Sequence, residues 1–227
     1  REQLFQEMKA RVKEKDESVP VFRNGYFYYS RTETSKQYFK YCRKKGNLQA
    51  PEEILLDVDQ MAEGKAYYSA SGFSISPDNS KLIYGVDDVS RRQYKLFLKD
   101  LGIKNVESET VWAADNKTIF YVGKNETTLL SEKIIRHTLG TDPSKDVTVY
   151  EEKDKSNYIG VMKSKNNKYI LIGSSATTSS EYRYILADQP NDAFKVFQSR
   201  MKDVLYDVIP LEDKFLVLTN KDALNFK

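Results

Sequence analysis

The sequence predicts a mainly β protein assembled from repeated four-stranded units of the propeller kind. Three observations predict it. One strand–turn–strand phrase recurs along the 227 residues. Most copies fall roughly 40–50 residues apart, the period of a propeller blade. Two weaker strands follow most copies. The composition suits this reading, since 16 Tyr and 11 Phe favour a pleated, half-buried surface.

The clearest copy is Phe73 to Asp88, FSISPDNSKLIYGVDD. Phe73 and Ile75 alternate with serines, Ser76-Pro77-Asp78-Asn79 makes a turn, and Leu82-Ile83-Tyr84 leaves it. Pro sets the turn φ, and Asp and Asn close the turn with their own side chains. A short apolar run bounded by turn residues suits a strand covered on both faces.

Residues 1–19 read as an amphipathic helix leading into a β domain at 20–227. Leu4, Phe5, Met8 and Val12 form one apolar stripe on a charged cylinder, a stripe that needs a packing partner. Pro20 ends it, and no cap precedes Arg1. From Val21 the pattern is strands. The hairpin repeats fall at about 21–31, 73–88, 111–123, 159–175 and 206–220, with turns at Asn24-Gly25, Asp78, Asp115-Asn116, Asn166-Asn167 and Glu212-Asp213. Asn-Gly between apolar runs is a strong hairpin signal. Between them lie weaker strands: Gln37–Arg43, Ile54–Val58, QYKLFLKDL, KIIRHTLG, DVTVYEE, EYRYILAD and FKVFQSR.

The interval from Leu98 to Val111 is short. It must hold a turn, a fourth strand and a crossing to the next unit, so either that blade is trimmed or chain is missing there. The count is four units and the first hairpin of a fifth, an open arc. An open arc exposes strand edges, so the expectation is a fragment of a longer protein.

Lys and Arg number 36 against 33 Asp and Glu, with the signs interspersed. That balance gives no footprint for nucleic acid. No apolar run approaches the ~18 residues of a membrane helix. The single cysteine, Cys42, rules out an intrachain disulfide and a thiolate cluster. The expected setting is soluble and cytoplasmic, with a periplasmic one left open.

The chain offers no catalytic set. His137 is the lone histidine, and its bland reading is structural. There is no nucleophile elbow, phosphate-cradling glycine loop or calcium loop. Ser199-Arg200-Met201-Lys202 matches S-x-x-K without helical context. Gly173-Ser174-Ser175 reads as a turn. Asp57, Asp59 and Glu63 lack ligand spacing. The Asn116 and Asn125 sequons lack a secretory signal. No metal, cofactor or catalytic residue is assigned. The polar group singled out is the Asp87, Asp88, Arg91 and Arg92 set, joining the second and third strands of a blade, where a propeller presents loops on one rim. These charges suit contact with another domain. Their bland reading is a solvated loop with ion pairs of ~0–1 kcal/mol each.

The phrases NGYFYYSRTETSKQYFKYCRKKG, SGFSISPDN, SRRQY, VWAADNKTIFY, RHTLGTD, VYEEKD, SSATTSSEYR, FKVFQSR and TNKDALNFK carry a resemblance. In this order they resemble the N-terminal propeller of the prolyl oligopeptidase family, more closely its oligopeptidase B (protease II) branch. The resemblance implies a seven-bladed propeller joined to a C-terminal α/β-hydrolase domain that holds the whole Ser-Asp-His triad. It implies hydrolysis of short peptides, after Lys or Arg, with the propeller as a lid that limits access. It also puts the Asp87–Arg92 loop near the domain interface. The partners implied are the hydrolase domain and peptides, without nucleic acid or membrane. The other reading is a stand-alone propeller serving as an interaction scaffold.

Overall fold

The computed structural model describes residues 1–98, 103–223 and 225–227, with side chains in the strand that starts at 103 described from Glu107 onward. The chain forms two compact units, Arg1–Tyr67 and Tyr68–Lys227. Among the described residues no helix is long and apolar enough to cross a membrane.

The first unit opens with helix α1, Glu2–Ala10. It is shorter than the apolar stripe predicts. Residues 16–18 are drawn off to a strand instead. Ser18 N donates to Ser30 O, Thr32 N to Asp16 O, and Asp16 N to Thr32 Oγ1. Backbone bonds to a strand edge thus replace the last helical turns. Leu4, Phe5, Met8 and Val12 are all exposed.

Four strands follow, β1 (Val21–Arg23), β2 (Tyr26–Arg31), β3 (Lys40–Lys45) and β4 (Glu52–Asp57), in one antiparallel sheet in chain order. The β1–β2 turn has Asn24 at φ 48° and Gly25 at φ 81°. Two successive positive φ values match the twist of a two-residue hairpin, which is why Asn-Gly sits there. Tyr29, Cys42 and Leu56 form the buried centre. A second helix, α2 (Val58–Ala62), takes the end of the strand expected through Val58. Asp57 caps it, its carboxylate accepting from Gln60 N. The Asp cap outweighs the β-forming run before it.

Among the described residues the second unit holds thirteen strands. Seven of them, β5 (Ser69–Ile75), β6 (Leu82–Asp87), β7 (Tyr94–Phe97), β8 (Ile103–Trp112), β9 (Thr118–Lys124), β10 (Ser131–Thr138) and β11 (Val147–Glu151), make one sheet whose neighbours are consecutive in the chain. The reading of separate four-stranded units meets a departure here. Strand β8 pairs with β7 on one side and β9 on the other. The fourth strand of one unit and the first strand of the next are therefore one strand, which is how the short 98–111 interval closes. The turn expected in that interval falls on 99–102, outside the described residues.

The remaining strands are β12 (Tyr158–Lys163), β13 (Tyr169–Ser175), β14 (Ser180–Leu186) and β15 (Lys195–Gln198) in a four-stranded sheet, and the hairpin β16 (Tyr206–Pro210) and β17 (Phe215–Thr219). Among the described residues none of the sheets closes on itself.

The core of this unit lies between sheets. Residues Val111, Phe120, Val122 and Ile134 pack against Ile159, Ile170, Ile172 and Ile185. Strand β9 is buried on both faces, since Ile119 and Tyr121 join Ile83, Leu96 and Trp112 on its other side. That explains an apolar run without alternation. A third cluster is aromatic. Tyr182, Tyr184 and Phe197 meet Tyr206 and Phe215, with the Phe197 and Phe215 rings 5.2 Å apart.

The recurring turns are stitched to one another on one rim. Asp78 N donates to Asn116 Oδ1, Ala114 N to Ala187 O, and Asn166 Nδ2 to Leu211 O. Asn79, Asn116 and Asn167 hold positive φ, a conformation that Asn tolerates better than most residues.

Candidate functional site

The opposite rim carries the loops that leave β6, β9 and β13. The Asp87–Arg92 loop, which follows β6, is pinned from within. Asp87 ends β6 and is 1% exposed. Its Oδ1 accepts from Val89 N at 2.9 Å, and its Oδ2 from Arg91 N at 3.1 Å and Arg92 N at 2.7 Å. A carboxylate with three backbone donors satisfies its charge at home and acts as the loop's pin. Ser90 and Arg92 adopt positive φ, 59° and 53°, which costs energy in non-glycine residues and persists only under such bonding.

The other three flagged residues differ in what they have left to offer. Asp88 accepts from Lys95 Nζ at 3.1 Å and 3.2 Å. Nearby Tyr68 is pushed up to about 12, chiefly by burial, then by the hydroxyl of Tyr84 and the charge of Asp88. Arg91 and Arg92 are exposed, and their guanidiniums have no partner among the described residues. The backbone of Arg92 is held from outside the loop, because Lys124 Nζ donates to Arg92 O at 3.1 Å. Lys124 also pairs with Glu107 at 3.0 Å, and Ser131 Oγ donates to Glu107 Oε1 at 2.8 Å. The four residues named from sequence thus sit on one loop in three roles: an internal pin, a paired carboxylate and two unspent cations.

A second polar cluster on this rim was invisible as a unit in the sequence. Arg200 donates to Ser174 O and Oγ and to Ser179 O and Oγ. Ser174 Oγ donates to Glu152, as does Tyr150. Burial works against charge on Glu152, but these hydroxyls hold its pKa below the usual carboxylate range. The signal lay in phrases already noted, VYEEKD, SSATTSSEYR and FKVFQSR, but their meeting depends on sheet packing.

The remaining candidates are structural. His137 is fully buried, its Nδ1 2.6 Å from Asp146 Oδ1, and Tyr121 donates to Asp146 Oδ2 at 2.7 Å. His137 Nε2 has no partner among the described residues. Cys42 is buried, and burial pushes its thiol up to about 11, far from a reactive thiolate. Asp57 caps α2, and Asp59 accepts from the backbone of Gln37 and Tyr38. Asn116 and Asn125 serve turns. Among the described residues no serine stands beside His137 as a nucleophile would.

Comparison with known proteins bears on this arrangement. The family model described as prolyl oligopeptidase, N-terminal beta-propeller domain, matches residues 1–227. Dipeptidyl aminopeptidase BI of Pseudoxanthomonas mexicana is 38% identical, with 100% of this chain and 34% of that protein covered. Protease 2 of Moraxella lacunata is 33% identical, covering 100% and 35%. Among solved structures, oligopeptidase B from Trypanosoma brucei, in a closed form with covalently bound antipain, superposes with a TM-score of 0.91 at 27% identity. It covers 97% of this chain and 33% of that one. Oligopeptidase B from Leishmania major gives 0.89 at 28% identity, with the same coverage. The chain spans about a third of the length of the relatives it matches.

Proposed function

The chain belongs to the prolyl oligopeptidase family, as the propeller part of its peptidases, and on that premise we propose that it is the access-controlling portion of a serine peptidase acting on short peptides. The observation that carries the reading is the pairing of two facts. The family's N-terminal propeller domain matches the whole chain while the chain spans a third of its relatives, and the one histidine is buried with its Nδ1 on Asp146.

In this reading the hydrolase domain of the longer parent supplies nucleophile, base and oxyanion donors, and cleavage follows Lys or Arg. The propeller contributes selection by size, since a peptide must pass between two bodies before it meets the chemistry. The Asp87–Arg92 loop borders that passage. Asp87 keeps the loop in shape, and Asp88, Arg91 and Arg92 face what lies across the gap.

The test is hydrolysis by the longer parent. Short peptides carrying Lys or Arg before the scissile bond should be cut, a folded protein of the same composition should not, and a serine-directed phosphonate should abolish turnover. The 227-residue chain alone should cut nothing. Hydrolysis by this chain, or a parent indifferent to the phosphonate, would overturn the proposal.

A further inference from the structure

The charge inventory of the Asp87–Arg92 loop does not balance locally. Asp87 is consumed by three backbone donors. Asp88 is matched by Lys95, and Lys124 by Glu107. What remains is the guanidiniums of two consecutive residues, Arg91 and Arg92, both exposed and without a partner among the described residues. They stand on a backbone fixed from within by Asp87 and from the neighbouring hairpin by Lys124. Two residues of this short loop hold positive φ. The backbone that carries them is thus held in one shape, and a guanidinium is a planar fork of N–H donors that suits planar anions.

We infer that Arg91 and Arg92 form a receptor for a peptide carboxylate, in the first place the C-terminal carboxylate of a bound peptide. The inference rests on the peptidase reading, which places peptides at this rim. A C-terminal carboxylate is present on every linear peptide, so the pair recognises an end and not a sequence. A guanidinium pair favours carboxylate over the neutral groups of a peptide bond, because only the carboxylate offers two charged acceptor oxygens. Rim exposure keeps the gain modest and dependent on salt.

Fluorescence anisotropy of N-terminally labelled hexapeptides with the 227-residue chain tests this directly. Three probes are compared: a neutral sequence with a free C-terminal acid, its C-terminal amide, and the amide with one internal Glu. The acid should bind about five- to tenfold more tightly than the amide at low salt. The difference should shrink to about one in Arg91→Gln/Arg92→Gln and fall partway in each single variant. Tighter binding of the Glu-containing amide alone would support a carboxylate receptor that uses side chains. Equal affinity for all three probes, or an acid preference that survives the double substitution, would overturn the inference. A double variant that instead changes the thermal midpoint, with no probe discriminated by wild type, would assign the arginines a role inside the fold and overturn it as well. Among the described residues neither arginine side chain makes a bond, so the variants should melt like wild type. Because binding is read without hydrolysis, a parent that cleaves no peptide counts against the peptidase reading, and a missing acid–amide difference counts against the receptor.

Discussion

Lys124 donates from its buried ammonium to the carbonyl oxygen of Arg92 at 3.1 Å, tying the end of β9 to the loop after β6. One strand pair thereby sets the shape of another pair's loop. Lys124→Met should raise amide exchange at residues 89–92 and cost about 1–2 kcal/mol, since Glu107 loses its counter-charge. Asp87→Ala should cost more, about 2–3 kcal/mol, because three N–H groups lose a charged acceptor. Hydrogen exchange followed by mass spectrometry reads both, and equal protection of the loop in wild type and Asp87→Ala would refute the pinning role.

Gly72 sits in β5 at φ 67°, and a Cβ there would lie 1.9 Å from Ser108 O on β8. Gly72→Ala therefore forces backbone apart and should lower stability by about 3 kcal/mol or more. Gly25 also has positive φ, but its Cβ would meet nothing within 4 Å. Gly25→Ala should cost only about 1 kcal/mol. Urea midpoints of the two variants separate close approach from backbone conformation.

His137 joins β10 to the segment before β11 through Asp146, and Tyr121 completes the set. His137→Ala should cost about 3–5 kcal/mol, combining a buried cavity with the loss of the hydrogen bond to Asp146 Oδ1. Peptidase activity of the parent, where measurable below the melting point, should persist. A variant that melts normally but is inactive would give His137 a chemical role instead.

Glu52 accepts from Arg31 and Tyr29, and chiefly the Arg31 hydrogen bond lowers its pKa to about 2, against burial. A depressed carboxylate stabilises the fold above its unfolded pKa of about 4.3 and loses that contribution as pH falls toward its folded value. Urea midpoints should therefore drop between about pH 4.5 and pH 2. Glu52→Gln should be less stable at pH 7 and show a shallower acid limb. An unchanged slope would mean that other carboxylates dominate.

Cys42 is the only cysteine, and burial raises its thiol to about 11. Its labelling by a maleimide at pH 7 should follow opening of the first unit. Labelling at the rate of a free thiol without denaturant would show that this sheet is not closed over Cys42.

The strands were legible in the chain because the recurring turns announce themselves with Asn, Asp or Gly and are followed by apolar or aromatic runs. Three features were not. The helix stripe from Leu4 to Val12 carries no record of the strand edge that competes for residues 16–18. Asp57 reads equally as a strand end and as a helix cap until Gln60 N is seen to meet it. The double pairing of β8 could be sensed only as a shortage of residues between Leu98 and Val111. For the candidate loop, sequence proximity assembled the right four residues. Their inequality arises from burial, because Asp87 points inward and the arginines outward.

The seven strands from β5 to β11 lie in the sheet in the order in which they are made. Every pairing closes a short loop, so ordering one strand costs little chain entropy once its predecessor is in place. On the ribosome each new strand leaves the exit tunnel with its template already waiting. Strand β8 then passes this growth from one hairpin unit to the next without a pause at which an unpaired edge would stand open to other chains.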